Sequence, residues 1–259
     1  MKFRARCFLI HLTISALVVV SAAGFVYGVW YRPPLGRLEG VLDILLLMAA
    51  VDVCAGPLCT LIAASPAKPR REFARDMTLI GLVQLAALGY ALYAVGVARP
   101  AFLVYNIGIF EIERANELFP DQLARASSPA FASAPLLGPV YVEGRLPADP
   151  TAAAQIVKSA ISGGPDIKDM PRYYIAWPAA GSDARAKGQP LSSLSDHGPL
   201  RAEVADLART RDVPEDDVVT FPIQGKVKRG TVVLRKSDLS VLGILPESNL
   251  AITIKPASG

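Results

Sequence analysis

The chain has 259 residues, with 27 Lys and Arg against 23 Asp and Glu, 52% hydrophobic residues and three cysteines. Acidic and basic residues cancel from Arg99 to Gly259, so the excess charge lies beside apolar segments and no basic soluble face exists to bind nucleic acid. All three cysteines fall in apolar segments, which excludes a disulfide framework for the remainder.

The first apolar segment, Cys7 to Tyr31, carries no formal charge and ends on Trp30-Tyr31, the residue types of an interfacial aromatic belt. Its basic start and Ser21-Ala22-Ala23 also resemble a signal peptide, but the apolar run is longer than a signal core and continues through Phe25 and Tyr27. Retention as a span is expected. The second segment, Val41 to about Ala64, contains Asp43 and Asp52, and the third, Met77 to Ala98, again has no formal charge. Each exceeds the ~20 residues that cross ~30 Å of hydrocarbon at ~1.5 Å per residue.

Lys2, Arg4 and Arg6 precede the first span, and Lys68, Arg70, Arg71 and Arg75 separate the second from the third. Short loops rich in Lys and Arg stay cytoplasmic. The expected topology places the N-terminus inside, the loop bearing Arg32, Arg37 and Glu39 outside, and the long tail outside.

A carboxylate within a span costs several kcal/mol, roughly 2.5 to 3.5 on the insertion scale, so Asp52 needs a partner, a proton or a wet cavity. Asp43 lies near the outer interface and is expected to reach water. Counted from the inner ends of their spans, Asp52 lies ~16 Å deep, Gln84 ~10 Å and His11 ~6 Å, a loose polar ladder. Asp52 either makes a structural hydrogen bond to Gln84 or Thr60, or offers a site to a polar group on another membrane helix. Gly56-Pro57 follows one turn later: glycine permits close helix approach, and proline frees a backbone carbonyl and can kink the span. Asp52, Gly56 and Pro57 thus form a candidate docking notch, with Gln84 and His11 nearby.

After Arg99-Pro100 comes a β-prone stretch through Phe102, Val104, Ile107, Ile109 and Ile112, with Gly108 as a bend. A helix-like piece is expected over 113–123, then a loose Ala/Ser/Pro-rich stretch over 124–138 and a short strand over 139–143. Asp149-Pro150-Thr151 is a helix start, with Asp149 as N-cap, and Gly163-Gly164 is its stop. Residues 172–177, with Tyr173-Tyr174-Ile175-Ala176-Trp177, are β-prone, and at strand spacing half of the aromatic run belongs in a core rather than on a stacking surface. Residues 179–198 read as a loop. Leu200, Val204, Leu207 and Ala208 form a helical stripe. Residues 218–223, 227–235, 240–245 and 250–254 are short β runs, with Lys236-Ser237-Asp238 as a hairpin turn.

The fold class is therefore three transmembrane α-helices (residues 1–98) followed by an exported α+β domain (residues 99–259) with a mainly antiparallel sheet. Ser195-Asp196-His197 contains triad residue types, but adjacent residues in one loop rarely build a triad. Glu215-Asp216-Asp217 reads as a solvated turn. The tail has no Cys/His zinc spacing and no Gly-rich phosphate loop, so neither catalytic residues nor a cofactor or metal are expected.

The residues resemble the TfpX/TfpZ family of type IV pilin accessory proteins. The likeness runs through Phe8-Leu9-Ile10-His11-Leu12 with Ser15, Trp30-Tyr31, Val51-Asp52-Val53, Gly56-Pro57-Leu58 and Thr60-Leu61-Ile62. It continues in Pro66, Lys68-Pro69-Arg70-Arg71-Glu72, Arg75-Asp76, Gln84-Leu85-Ala86-Ala87, Tyr90, Ala98-Arg99-Pro100 and Val241-Leu242-Gly243-Ile244-Leu245-Pro246. It departs at Tyr105-Asn106-Ile107-Gly108-Ile109-Phe110 and at Glu247-Ser248-Asn249.

The resemblance implies a bacterial inner-membrane chaperone or stabiliser for a type IV major pilin, with other pilus-assembly components as further partners. On this reading Asp52, helped by Gln84 and His11, contacts the pilin helix and the periplasmic tail reads pilin identity. A pilin-modifying enzyme such as a glycosyl transferase is the alternative. A sensor is disfavoured, because the cytoplasmic segments are too short for an output module.

Overall fold

A computed structural model describes residues 2–194 and 199–247. The chain divides into two compact units. Unit 1 joins the residues up to Ala101 with Arg114–Glu117 and Pro135–Pro139, and unit 2 takes Phe102–Glu113, Leu118–Ala134 and the chain from Val140 onward.

Unit 1 contains three helices long and apolar enough to cross a membrane: Lys2–Trp30, Val41–Ala63 and Arg70–Val97. Towards the Trp30 end their packing is apolar, built on Val19, Val26, Val41, Leu45, Met48 and Val95, with Ala22, Ala23 and Ala91 allowing close approach. Their outward faces are aliphatic, as at Leu17, Leu47, Ile62 and Leu82. Such a distribution suits helices solvated by lipid.

The second helix is not a simple α-helix. Ala50–Ala55 forms a π turn that contains Asp52 and ends where the Gly56 N–H donates to the Val51 carbonyl. The sequence predicted a freed carbonyl or a kink at Pro57. In a regular α-helix the proline ring would strike the carbonyl four residues back, and the wider π turn relieves that collision.

Between the first two spans, the short helix Leu35–Glu39 ends on Gly40 in the left-handed region at φ 72°, where glycine lacks the Cβ that would clash. Glu39, almost fully enclosed, accepts from Arg114 Nε at 2.5 Å, and the same guanidinium meets Glu117 at 2.5 Å. The Arg99 Nε donates to the Pro135 carbonyl at 3.0 Å, and Trp30 Nε1 donates to the Leu136 carbonyl at 3.0 Å.

Unit 2 is built on an eight-stranded sheet. Its strands are β1 (Pro100–Asn106), β2 (Ile109–Arg114), β3 (Val140–Gly144), β4 (Tyr174–Ala176), β5 (Gln189–Pro190), β6 (Val218–Gln224), β7 (Arg229–Arg235) and β8 (Val241–Pro246). The order is β4-β3-β1-β2-β6-β7-β8, with β5 paired to β6. β3/β4, β5/β6, β6/β7 and β7/β8 are antiparallel, whereas β1/β3 and β2/β6 are parallel.

Tyr105, Phe110, Phe221 and Trp177 form one aromatic cluster with ring centroids 5.2 to 6.0 Å apart, and Phe102, Phe131 and Tyr174 form another. Tyr174 is buried, and the half-buried Trp177 packs on Tyr105 and Phe110 while donating to the Leu239 carbonyl at 3.0 Å, so part of this run joins the core and Ala176 stays exposed. Helix Pro199–Thr210 lays Val204 and Ala208 against Val218, Val233 and Leu242. Asp149 caps helix Pro150–Ile161 by accepting from the Thr151 and Ala152 N–H groups, and Gly163 follows at φ 77°. Both ends lie where the sequence predicted.

Other expectations are corrected. The 113–123 helix shrinks to Pro120–Leu123, because Glu113 belongs to β2 and is fully buried against Lys168 at 2.9 Å. The strand over 172–177 is limited to Tyr174–Ala176, after the 3₁₀ turn Pro171–Tyr173. The 179–198 loop contains helix Ala184–Lys187 and β5. The turn expected at Glu215–Asp217 is present as a 3₁₀ turn with Glu215 and Asp216 exposed, and its Asp217 accepts from Ser237 N and Oγ, both at 2.8 Å, and so fastens the β7–β8 turn. Ser195-Asp196-His197 and the run over 250–254 lie outside the described residues.

Candidate functional site

The polar residues singled out in the spans form one connected group. His11 Nδ1 lies 2.5 Å from Thr60 Oγ1 and its Nε2 lies 2.7 Å from Gln84 Oε1. Gln84 Nε2 donates to the Asp52 carbonyl at 2.9 Å and approaches Asp52 Oδ1 at 3.5 Å. Because the Gln84 amide nitrogen faces two oxygens, its oxygen must face His11, and Nε2 of the imidazole must carry a hydrogen. In the neutral ring Nδ1 then accepts from Thr60. The ladder expected from depth is a hydrogen-bonded chain across all three helices.

Gly56 explains how Gln84 reaches the second helix. A Cβ at that position would fall 2.0 Å from Gln84 Nε2 and 2.3 Å from its Cδ. Glycine provides the room, as sequence predicted. Pro57 is buried beside it, and Asp43 stands exposed near the start of the helix. Gly56→Ala is therefore expected to push the amide off Asp52 and lower thermal stability in detergent by about 1 kcal/mol, the worth of one hydrogen bond.

Asp52 is only 4% exposed, and its Oδ2 is shielded with no hydrogen-bond partner among the described residues. It borders a cleft of about 160 Å³ whose walls are His11, Ile14, Ser15 and Val18 of the first helix and Gly81, Gln84, Leu85 and Leu88 of the third. Sequence reasoning found the polar members and missed the walls. The signal was present: 11, 14, 15, 18 and 81, 84, 85, 88 both follow i, i+3, i+4, i+7, one face of a helix. At Gly81 an added Cβ would meet nothing within 4 Å, so that wall is low and open. Chemically, the cleft is an apolar trough beside a covered carboxylate oxygen that has no partner among the described residues, an acceptor that a hydroxyl, an amide or an ammonium reaches only when its cover moves.

In unit 2, a second cavity of about 290 Å³ is lined by residues including Tyr105, Glu143, Arg145, Asp183 and Lys187. Its charged side chains pair with one another, although Glu143 Oε2 is buried without a hydrogen-bond partner among the described residues. Arg145 reaches Glu143 Oε1 through Nε at 3.1 Å and Nη2 at 2.8 Å, and Asp183 takes the Tyr105 hydroxyl at 2.8 Å and Lys187 at 2.6 Å. Burial pushes the Asp183 carboxyl up, but hydrogen bonds from Lys187 and Tyr105 outweigh it and hold the group below its ordinary value.

The family described as fimbrial assembly protein FimB matches residues 1–40. The fimbrial assembly protein of Dichelobacter nodosus serogroup E1 is 30% identical over 190 residues, covering 73% of either chain. The serogroup I protein is 29% identical over the same shares, and the protein of serogroups C1 and C2 is 33% identical over 124 residues, 48% of this chain and 95% of its own length. No solved structure matches the chain. A relative 30% identical over 73% of either chain places this chain in the fimbrial assembly protein family.

Proposed function

We propose that this protein is a bacterial inner-membrane accessory protein for a type IV major pilin, acting by binding rather than by catalysis. Its N-terminus is cytoplasmic and its β-rich unit periplasmic, the arrangement favoured by the basic residues before the first span and between the second and third. The pilin waits in the bilayer on a long apolar helix carrying polar groups that are costly in lipid when unpaired. The cleft between the first and third helices receives that helix, and Asp52 accepts a hydrogen bond from one of those groups. The observation that carries this reading is Asp52 Oδ2, buried beside an apolar cleft without a partner among the described residues.

The test is purification of the tagged full-length protein from its host in mild detergent, with mass spectrometry of what accompanies it. Type IV pilin is expected near one to one. Asp52→Asn keeps an oxygen for Gln84 but loses the charge, so the protein's own level should stand while pilin recovery falls roughly tenfold, the scale of one charge-assisted hydrogen bond. A parallel fall in both would make Asp52 structural. A pilin-free preparation after cross-linking would end the chaperone reading.

A further inference from the structure

We infer that the loop Pro135–Pro139 is an interfacial membrane anchor, which seats Leu136 and Leu137 in the bilayer surface at the Trp30 end of the helices. Leu136 is 70% exposed and Leu137 77% exposed, adjacent large apolar residues left largely uncovered by the described residues. Their loop belongs to the helical unit and is fixed there at three points. Trp30 Nε1 donates to the Leu136 carbonyl at 3.0 Å, and Arg99 Nε donates to the Pro135 carbonyl at 3.0 Å. Gly138 packs so closely on the first helix that a Cβ would stand 2.9 Å from the Val29 carbonyl.

These anchors set the loop's depth. Val29 and Trp30 are the last residues of the first span and Arg99 follows the third, so the leucines lie level with the span ends. Tryptophan favours that level, with its ring against acyl chains and its N–H towards polar groups. The Trp30 ring meets exposed Phe25 edge-on at 4.8 Å, so the apolar surface of the first span runs continuously to the loop.

The chemistry of the loop suits partial withdrawal from water. No Asp, Glu, Lys or Arg occurs between Arg125 and Glu143, and Pro135 and Pro139 have no N–H to leave unpaired. Two of its carbonyls are already taken by the tryptophan and arginine. The partner is therefore the acyl–headgroup boundary of a phospholipid bilayer, entered from one side by a non-helical loop.

The inference rests on the three helices spanning a membrane, and one experiment separates the two. In full-length protein with Cys7, Cys54 and Cys59 replaced by alanine, single spin labels are placed at Leu17, Leu137 and Ala67 and the protein is reconstituted in phosphatidylethanolamine/phosphatidylglycerol nanodiscs. Collision with oxygen and with a water-soluble nickel chelate is compared at each site. Leu137 is expected to favour oxygen as Leu17 does, with at least severalfold less chelate access than Ala67. Chelate access at Leu137 equal to that at Ala67, with Leu17 still shielded, overturns the anchor alone. Equal access at Leu17 as well removes the spans and the anchor together. Unmodified protein gives an independent reading: a phospholipid with a photoreactive group near its headgroup should label the tryptic peptide Ala126–Arg145, and an unlabelled peptide counts against the anchor.

Discussion

Gln84→Leu is expected to destabilise the helical unit by about 2–6 kcal/mol and to lower the protein's membrane level, whether or not pilin is present. Gln84 holds His11 Nε2 at 2.7 Å and the Asp52 carbonyl at 2.9 Å. Leucine fills similar volume but leaves both groups unpaired in an apolar bundle, at roughly 1–3 kcal/mol each, and removes the neighbour of Oδ1 as well. Thermal unfolding in detergent micelles measures the loss, and immunoblotting of membranes measures the level. The contrast with Asp52→Asn carries the information: one substitution breaks the support of the carboxylate, and the other preserves the support while removing the charge. A Gln84→Leu protein as stable as the parent would show that the chain of hydrogen bonds contributes nothing to the bundle.

Arg114→Leu is the second large effect, at about 3–5 kcal/mol. Glu39 has a side chain only 3% exposed and meets Arg114 at 2.5 Å, while the other arm of the guanidinium holds Glu117. Removing one member of a buried pair leaves the other's charge without the group that repaid its desolvation. Arg114→Lys should lose less, because an ammonium keeps the charge but cannot fork between two carboxylates. Unfolding followed in detergent should therefore rank parent above lysine above leucine. Glu39→Gln combined with Arg114→Leu should recover part of the loss, since the buried charge that Arg114 helped to compensate is then gone. Equal stability of the lysine and leucine variants would contradict this account.

Both effects bear on function through position. His11, Gln84 and Asp52 line the cleft, whereas Glu39 and Arg114 lie outside the spans, near their Trp30 end. Arg114→Leu should accordingly reduce pilin recovery only in proportion to the protein that remains folded, and Asp52→Asn should reduce recovery per folded molecule.

Much of this was legible in the residues. Span number follows from the length of the apolar runs, and helix Pro150–Ile161 from a cap, a proline and a glycine that each act within a few residues. The choice of Asp52, Gln84, His11, Gly56 and Pro57 also came from local chemistry: polar groups in an apolar segment need partners, and their depths formed a loose ladder. What the sequence left open depended on rotation and register. Which faces of the first and third helices meet is decided by packing and by the π turn at Ala50–Ala55, so Thr60 went to His11 rather than Asp52 and the cleft walls were not foreseen. The parallel pairs β1/β3 and β2/β6 join segments far apart in the chain, and no short-range signal specifies them. Glu113 was assigned to a helix because its charge and neighbours suit one, but a lysine 55 residues away made its burial in a strand possible. The membership of Pro135–Pro139 in the helical unit likewise depends on Trp30 and Arg99 reaching its carbonyls. Composition and periodicity act over a turn or two of chain and determined the elements and their chemistry. Side-chain pairing across long loops acts between elements, and only the tertiary structure decided which groups it satisfied and which carboxylate oxygen it left buried beside a cleft.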